Sequence, residues 1–154
     1  MEIVTDYFAA PSDALAGLVL GEAAGPASRS LTTGQPLFDT VTLPAVEPFV
    51  MLGTLHEALS GRSYGECTAE ARHGQVVAGR DEGPWVVSVS ERLVEHLAAA
   101  APAVLAGVAA RWARSPELAR LDPREAGTAV VALAGLAQRA REARHGVYCW
   151  TRLP

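Results

Sequence analysis

His56 and Glu57 begin the zinc-peptidase pattern H-E-x-x-H, in which a second histidine four residues on sets two imidazoles on one helix face. Ser60 stands at that position, so the pattern fails at its defining residue. At about 100° per residue, His56 shares a side with Phe49, Leu52 and Leu59, while Glu57 points away. The pair therefore cannot act together on one substrate atom. The spacing predicts a histidine packed at the edge of the core with one ring nitrogen bonded to backbone. The competing reading is an acid, base or ligand on a pocket wall.

Glu66, Cys67, Glu70 and His73 form the second group of chemically capable side chains. Zinc accepts such mixed ligands, but structural sites show paired close spacings such as C-x2-C, which are missing, so no metal is expected. The segment 62–73 reads as part of a long irregular stretch, and long loops in compact domains often carry function. The candidate ligand-binding residues are therefore His56, Arg62, Tyr64, Glu66, Cys67 and His73, with no catalytic residue and no cofactor assigned. Cys149 lies on an apolar segment whose period-two alternation groups it with Val147 and Thr151 and places Tyr148 and Trp150 opposite. It reads as a buried, inert thiol. Asp6 and Tyr7, at the end of a first strand, are weaker candidates for lining a cleft. No G-x-S-x-G elbow, P-loop or G-x-G-x-x-G is present.

These residues need elements to hold them. Glu2 to Phe8 is β-rich and reads as an opening strand. Ser12 then caps a helix, with Asp13 in its first turn and Leu15, Leu18 and Val19 as its buried stripe. Residues 22–36 are rich in Gly, Pro and Ser and read as loop, followed by a short strand from Phe38 to Leu43. The helix carrying His56 is predicted from Val46 to Ser60, closed by Gly61. Residues 61–84 are polar, with a hairpin signal at "GQVVAG". "PWVVSVS" is the clearest strand, leading into a helix capped by Ser90 and stapled by Val89 and Val94. Pro102 bends or divides that helix, and Leu105, Val108, Ala109 and Trp112 continue as a buried stripe. Asp122-Pro123-Arg124-Glu125 opens the last helix with a cap, a first-turn proline and a capping-box acid. Val130, Leu133, Ala134 and Ala137 form its inner face. Arg139, Arg141 and Arg144 complement its dipole, and Gly146 ends it. "VYCWTRL" reads as a closing strand. The expected fold is α+β, one domain over residues 1–154, with a small mixed sheet that takes strands from both termini and packs against four to five helices.

Composition narrows the functions. Of 154 residues, 49% are hydrophobic and 19% charged, which favours a globule over disorder. The net charge of −4, with thirteen scattered arginines and no lysine, argues against nucleic acid, whose binding needs a dense basic face. Missing lysine and asparagine, a single isoleucine and abundant alanine suggest a GC-rich bacterial genome. The N-terminus lacks a basic segment before an apolar run, so no signal peptide is expected. The uncharged run from Leu97 to Ala110 is short of the ~20 residues a membrane span needs. Two cysteines without C-x-x-C spacing fit a reducing compartment, and the expected location is the cytoplasm.

"DYFAAPSDALAGLV", "LHEALSG" and "VVSVSERLVEHLA", with a last helix running into an apolar strand, resemble the small bacterial YfbM-like family, whose function is uncharacterised. The resemblance implies an α+β fold and carries over no activity and no functional residue. With no catalytic motif, the expected function is binding without catalysis, to a protein partner of regulatory or immunity type, with a homodimer also open. The alternative is a small enzyme or small-molecule binder with a pocket near His56 and the 62–73 segment.

Overall fold

The structure, a computed structural model, describes residues 4–152. The candidate opening residues Glu2 and Ile3 lie outside that range, as do Leu153 and Pro154. One five-stranded sheet runs in the order β2-β1-β5-β4-β3. Its strands are β1 (Val4–Ala10), β2 (Thr40–Thr42), β3 (Val76–Gly79), β4 (Trp85–Ser88) and β5 (Gly146–Arg152). The first and last strands lie side by side at the centre, with Tyr7 opposite Cys149. The α+β class read from the sequence holds. Every pairing is antiparallel, where a mixed sheet was expected.

The helices are α1 (Asp13–Ala16), α2 (Val50–Ser60), α3 (Tyr64–Thr68), α4 (Glu91–Ala99), α5 (Pro102–Trp112) and α6 (Pro123–Ala143). Ser12 caps α1 through its side chain, but α1 lasts only four residues before a 3₁₀ turn over Gly17–Gly21 takes over. The geometry change alters the buried stripe. Ala16 and Val19 are buried, whereas Leu15 and Leu18 face solvent. The predicted Leu15–Leu18–Val19 stripe assumed a 3.6-residue period that the tighter turn does not keep.

α2 begins at Val50, four residues later than expected. Pro48 disfavours helical backbone at Glu47, and Ala45 is left-handed at φ 66°. The Glu47 carboxylate then accepts bonds from the N–H groups of Phe49 and Met51, acting as a cap from outside the helix. Gly61 ends α2 at φ 76°, as predicted. Ser90 caps α4 and Asp122 caps α6, each side chain accepting from the N–H three residues on. Pro102 divides the chain into α4 and α5. At the far end of α6, Arg144 takes the left-handed position (φ 59°), and Gly146 instead begins β5. The predicted glycine stop is thus displaced by two residues.

The sheet separates two cores. On one face Tyr7, Val87, Val147 and Cys149 pack under α2, α4, α5 and α6. On the other, Phe8, Val86, Tyr148 and Trp150 are covered by α1, the 3₁₀ turns Gly17–Gly21 and Gly25–Ala27, and Phe38. The alternation predicted for β5 is thereby realised. Trp112 is fully buried, and its Nε1 donates to the carbonyl of Met51 (3.0 Å) and to Thr54 Oγ1 (3.1 Å). That indole pins α5 to α2.

Candidate functional site

α2 presents His56 inward beside Leu52 and Leu55, all essentially inaccessible to solvent. The predicted backbone bond to the ring is not made. Neither His56 nitrogen has a hydrogen-bond partner among the described residues. Ser60, at the position where a zinc-binding helix would carry its second histidine, donates to the His56 carbonyl at 2.8 Å. Burial pushes the His56 imidazole down to about 4, against a raising pull from Glu70 and with further lowering by His96, Arg62 and His73. The His96 ring, on α4, lies 5.9 Å away between centroids. In this conformation the neutral imidazole is shielded from solvent.

The segment expected to be loop is partly helical. Ser63 caps α3 through its side chain, and the Glu57 carboxylate accepts from the Tyr64 N–H at 2.8 Å. Glu57, read as pointing away from any site, therefore steadies the start of α3. The short helix separates the predicted ligand set. Cys67 is fully buried, its Sγ 3.7 Å from Ser60 Oγ. Glu66 faces solvent, and Tyr64 lays its ring across Gly53, where a Cβ would come within 2.6 Å of it. A carbon there would displace the tyrosine. Among the described residues, no three His, Cys, Asp or Glu side chains gather as a metal-holding group.

What the fold does assemble is a polar clamp centred on Glu70. Its carboxylate accepts from Arg62 Nη1 at 2.6 Å and from Ser90 Oγ at 3.0 Å, with Arg92 Nε at 3.7 Å. Burial would raise the Glu70 carboxyl, but the bonds from Arg62 and Ser90 outweigh it and hold it below its ordinary value. The clamp joins the end of α2, the segment after α3 and the cap of α4. Arg62 and His56 from the predicted set come together around Glu70. His73 contributes to the same field and is itself lowered by burial, partly offset by a backbone hydrogen bond to Phe49. Sequence reasoning missed Ser90, Arg92 and His96 as members. Their separation from His56 in the chain left no local signal, because the α4 pattern announced only an ordinary capped helix.

The two candidates on β1 and the thiol on β5 are structural. Asp6 is buried within the strand and accepts from Thr42 Oγ1 at 2.7 Å; burial raises its carboxyl and that bond opposes the rise. Tyr7 is fully buried and donates to the Val46 carbonyl at 2.7 Å, so neither residue lines a strand-end cleft. Burial pushes the Cys149 thiol up, away from the thiolate form a nucleophile requires.

Clefts open elsewhere on the described surface. One of about 440 Å³ lies between the 44–47 segment and the residues around Leu118. Another of about 280 Å³ lies between the start of α4 and the end of α6. A groove of about 710 Å³ runs between α5 and α6, lined by Pro102, Ala106, Ala110, Gly127 and Val131 among others. None of these is lined by His56, Tyr64 or His73. No family model, curated protein or solved structure matches this chain. Among the described residues, no helix is long and apolar enough to cross a membrane.

Proposed function

We propose that this protein acts by binding without catalysis, and that its partner is another protein that lays an apolar helix along the α5–α6 groove. The carrying observation is the contrast between a sealed His56 and an open groove of small and apolar residues. Val131 on α6 is 65% exposed in the groove, in surroundings where Ala106, Ala110 and Gly127 permit close backbone approach. Helix-in-groove recognition relies on such surfaces, and contiguous exposed apolar area often marks an interaction site. A regulatory or immunity-type role in the bacterial cytoplasm is consistent with this reading. The two buried, unpaired cysteines bear only on the location, since a reducing compartment tolerates them. The resemblance to the YfbM-like family adds no activity to it.

The test uses Val131→Arg, a change at an exposed position that leaves the core intact. Affinity capture with wild-type protein should retain a partner that purifies, rebinds in a reconstituted mixture and is lost with Val131→Arg at unchanged melting temperature. A partner held equally by the variant moves the interface elsewhere. A concentration-dependent dimer abolished by Val131→Arg would assign the groove to a second copy of the chain. One observation favours a second reading: both ring nitrogens of His56 lack partners, as in a site that opens to admit a ligand. A small molecule that raises the melting temperature of wild type and not of His56→Gln would establish that reading instead.

A further inference from the structure

The cleft between α4 and α6 carries opposite charges on its two walls. Glu91 and Glu95, one turn apart on α4, line one side. Arg141, Arg144 and His145 line the other, and the buried side chains of Val94 and Val147 contribute to the apolar lining between them. Arg72 also lines the cleft, held by two bonds to Asp13 (2.7 and 2.9 Å) and set over the Tyr148 ring at 6.0 Å. Tyr148 donates to the same Asp13 carboxylate at 2.6 Å, so Arg72 is braced from two elements. Among the described residues no ion pair joins the acidic wall to the basic one.

The backbone singles out one member of the basic wall. Arg144 holds φ 59° and ψ 41° at the end of α6, a conformation that glycine adopts without strain and arginine does not. A long cationic side chain is thus kept where local stability favours glycine, and strain of this kind tends to persist where the side chain has a task. At about 280 Å³ the cleft falls below the ~300–1,000 Å³ typical of drug-sized ligands.

We propose that this cleft binds a small zwitterion of the amino-acid type, its carboxylate toward Arg141 and Arg144 and its ammonium toward Glu91 and Glu95. The inference goes beyond the protein-binding reading and rests on a different set of lining residues. A ligand bearing both charges satisfies both walls at once, whereas a simple anion meets repulsion from the two glutamates.

The experiment titrates the full chain, in a buffer free of phosphate and amines, with each standard free amino acid by calorimetry. At least one should bind with one-to-one stoichiometry, and its N-acetyl and C-amide derivatives should each bind about tenfold more weakly, having lost one charge-assisted contact. Arg144→Gly should bind about tenfold more weakly while melting about 2–4 °C higher, because the left-handed strain is relieved. Opposite signs in binding and stability separate a lost contact from a damaged fold. Glu95→Gln, at an exposed helix position, should weaken binding with the melting temperature unchanged. Silence across the whole panel overturns the proposal. So does full affinity in both variants, or equal binding of the blocked derivatives. Inorganic phosphate binding as tightly as the preferred amino acid would also overturn it, since the acidic wall would then play no part.

Discussion

The two faces of the sheet are solved by different physics. The face under α2, α4, α5 and α6 is packed with Leu, Val and Ala from helices whose apolar residues recur at helical spacing. The opposite face is covered by short 3₁₀ turns and the irregular 22–39 segment, and aromatic rings fill the space. Phe8 lies 5.3 Å from Phe38 and 5.7 Å from Tyr148 between ring centroids, and Trp150 presses against Gly25. Helices cover a sheet by repetition of small contacts. A loop has no such period, so a few large rings and specific pins must do the same work. Here the pins include Arg72 to Asp13 and, where the 22–39 segment returns, Arg139 to Asp39.

If that contrast is right, the helix side should lose most when its largest ring is removed. Trp112→Ala should cost about 3–5 kcal/mol in denaturant unfolding, through the cavity and the unpaired acceptors it leaves. A cost below about 1 kcal/mol would mean that α5 is not anchored to α2 through this indole.

The next effect is pH-dependent and belongs to His56. Its folded value of about 4 lies below the ordinary 6.5, so the unfolded chain takes up the proton first. The corresponding stability is fully present above about pH 6.5 and is lost as pH falls toward 4, on the order of 3 kcal/mol in total. The Asp13 carboxyl, held near 2 chiefly by its bond from Arg72, acts only below its ordinary 3.8 and so falls outside that window. His56→Leu should reduce the slope between pH 6.5 and 4, leaving the part that comes from His73, whose imidazole burial also lowers. At neutral pH it should match or exceed wild type, since no ring hydrogen bond is lost. An equally steep slope in the variant would place the titrating group elsewhere.

On the loop side the sensitive point is a glycine. Gly25 has φ +64°, and a Cβ would meet the Trp150 ring at 2.7 Å. Gly25→Ala should therefore cost about 2 kcal/mol by combining backbone strain with overpacking. Near-neutral behaviour would show that the loop-side core is plastic, and would weaken the claim that it depends on a few exact fits. The smallest effect returns to the helix layer. Glu57→Ala removes the acceptor for the Tyr64 N–H and should cost about 0.5–1 kcal/mol, in the range of an ordinary cap. A null result by thermal denaturation would mean that Ser63 alone suffices to start α3.

The sequence by itself determined the elements whose signals are local. Ser90, Asp122 and Pro123 mark helix starts because capping depends on residues within one turn. Leu105, Val108, Ala109 and Trp112 were legible as a stripe because a helix face repeats every 3.6 residues. Val147, Cys149 and Thr151 sorted from Tyr148 and Trp150 because a strand alternates. Local chemistry also misled where two local rules competed. Gly146 looked like the stop for α6, yet the strand claims it and Arg144 bears the left-handed turn. Leu15 and Leu18 looked buried until the chain tightened into a 3₁₀ turn. Tertiary structure alone decided the pairing of β1 with β5, the Glu70 clamp linking three elements, and the sealing of His56. It also decided which face the 22–39 segment covers. Those outcomes depend on groups far apart in the chain that meet only after the helices have docked, and no window of neighbouring residues contains that geometry.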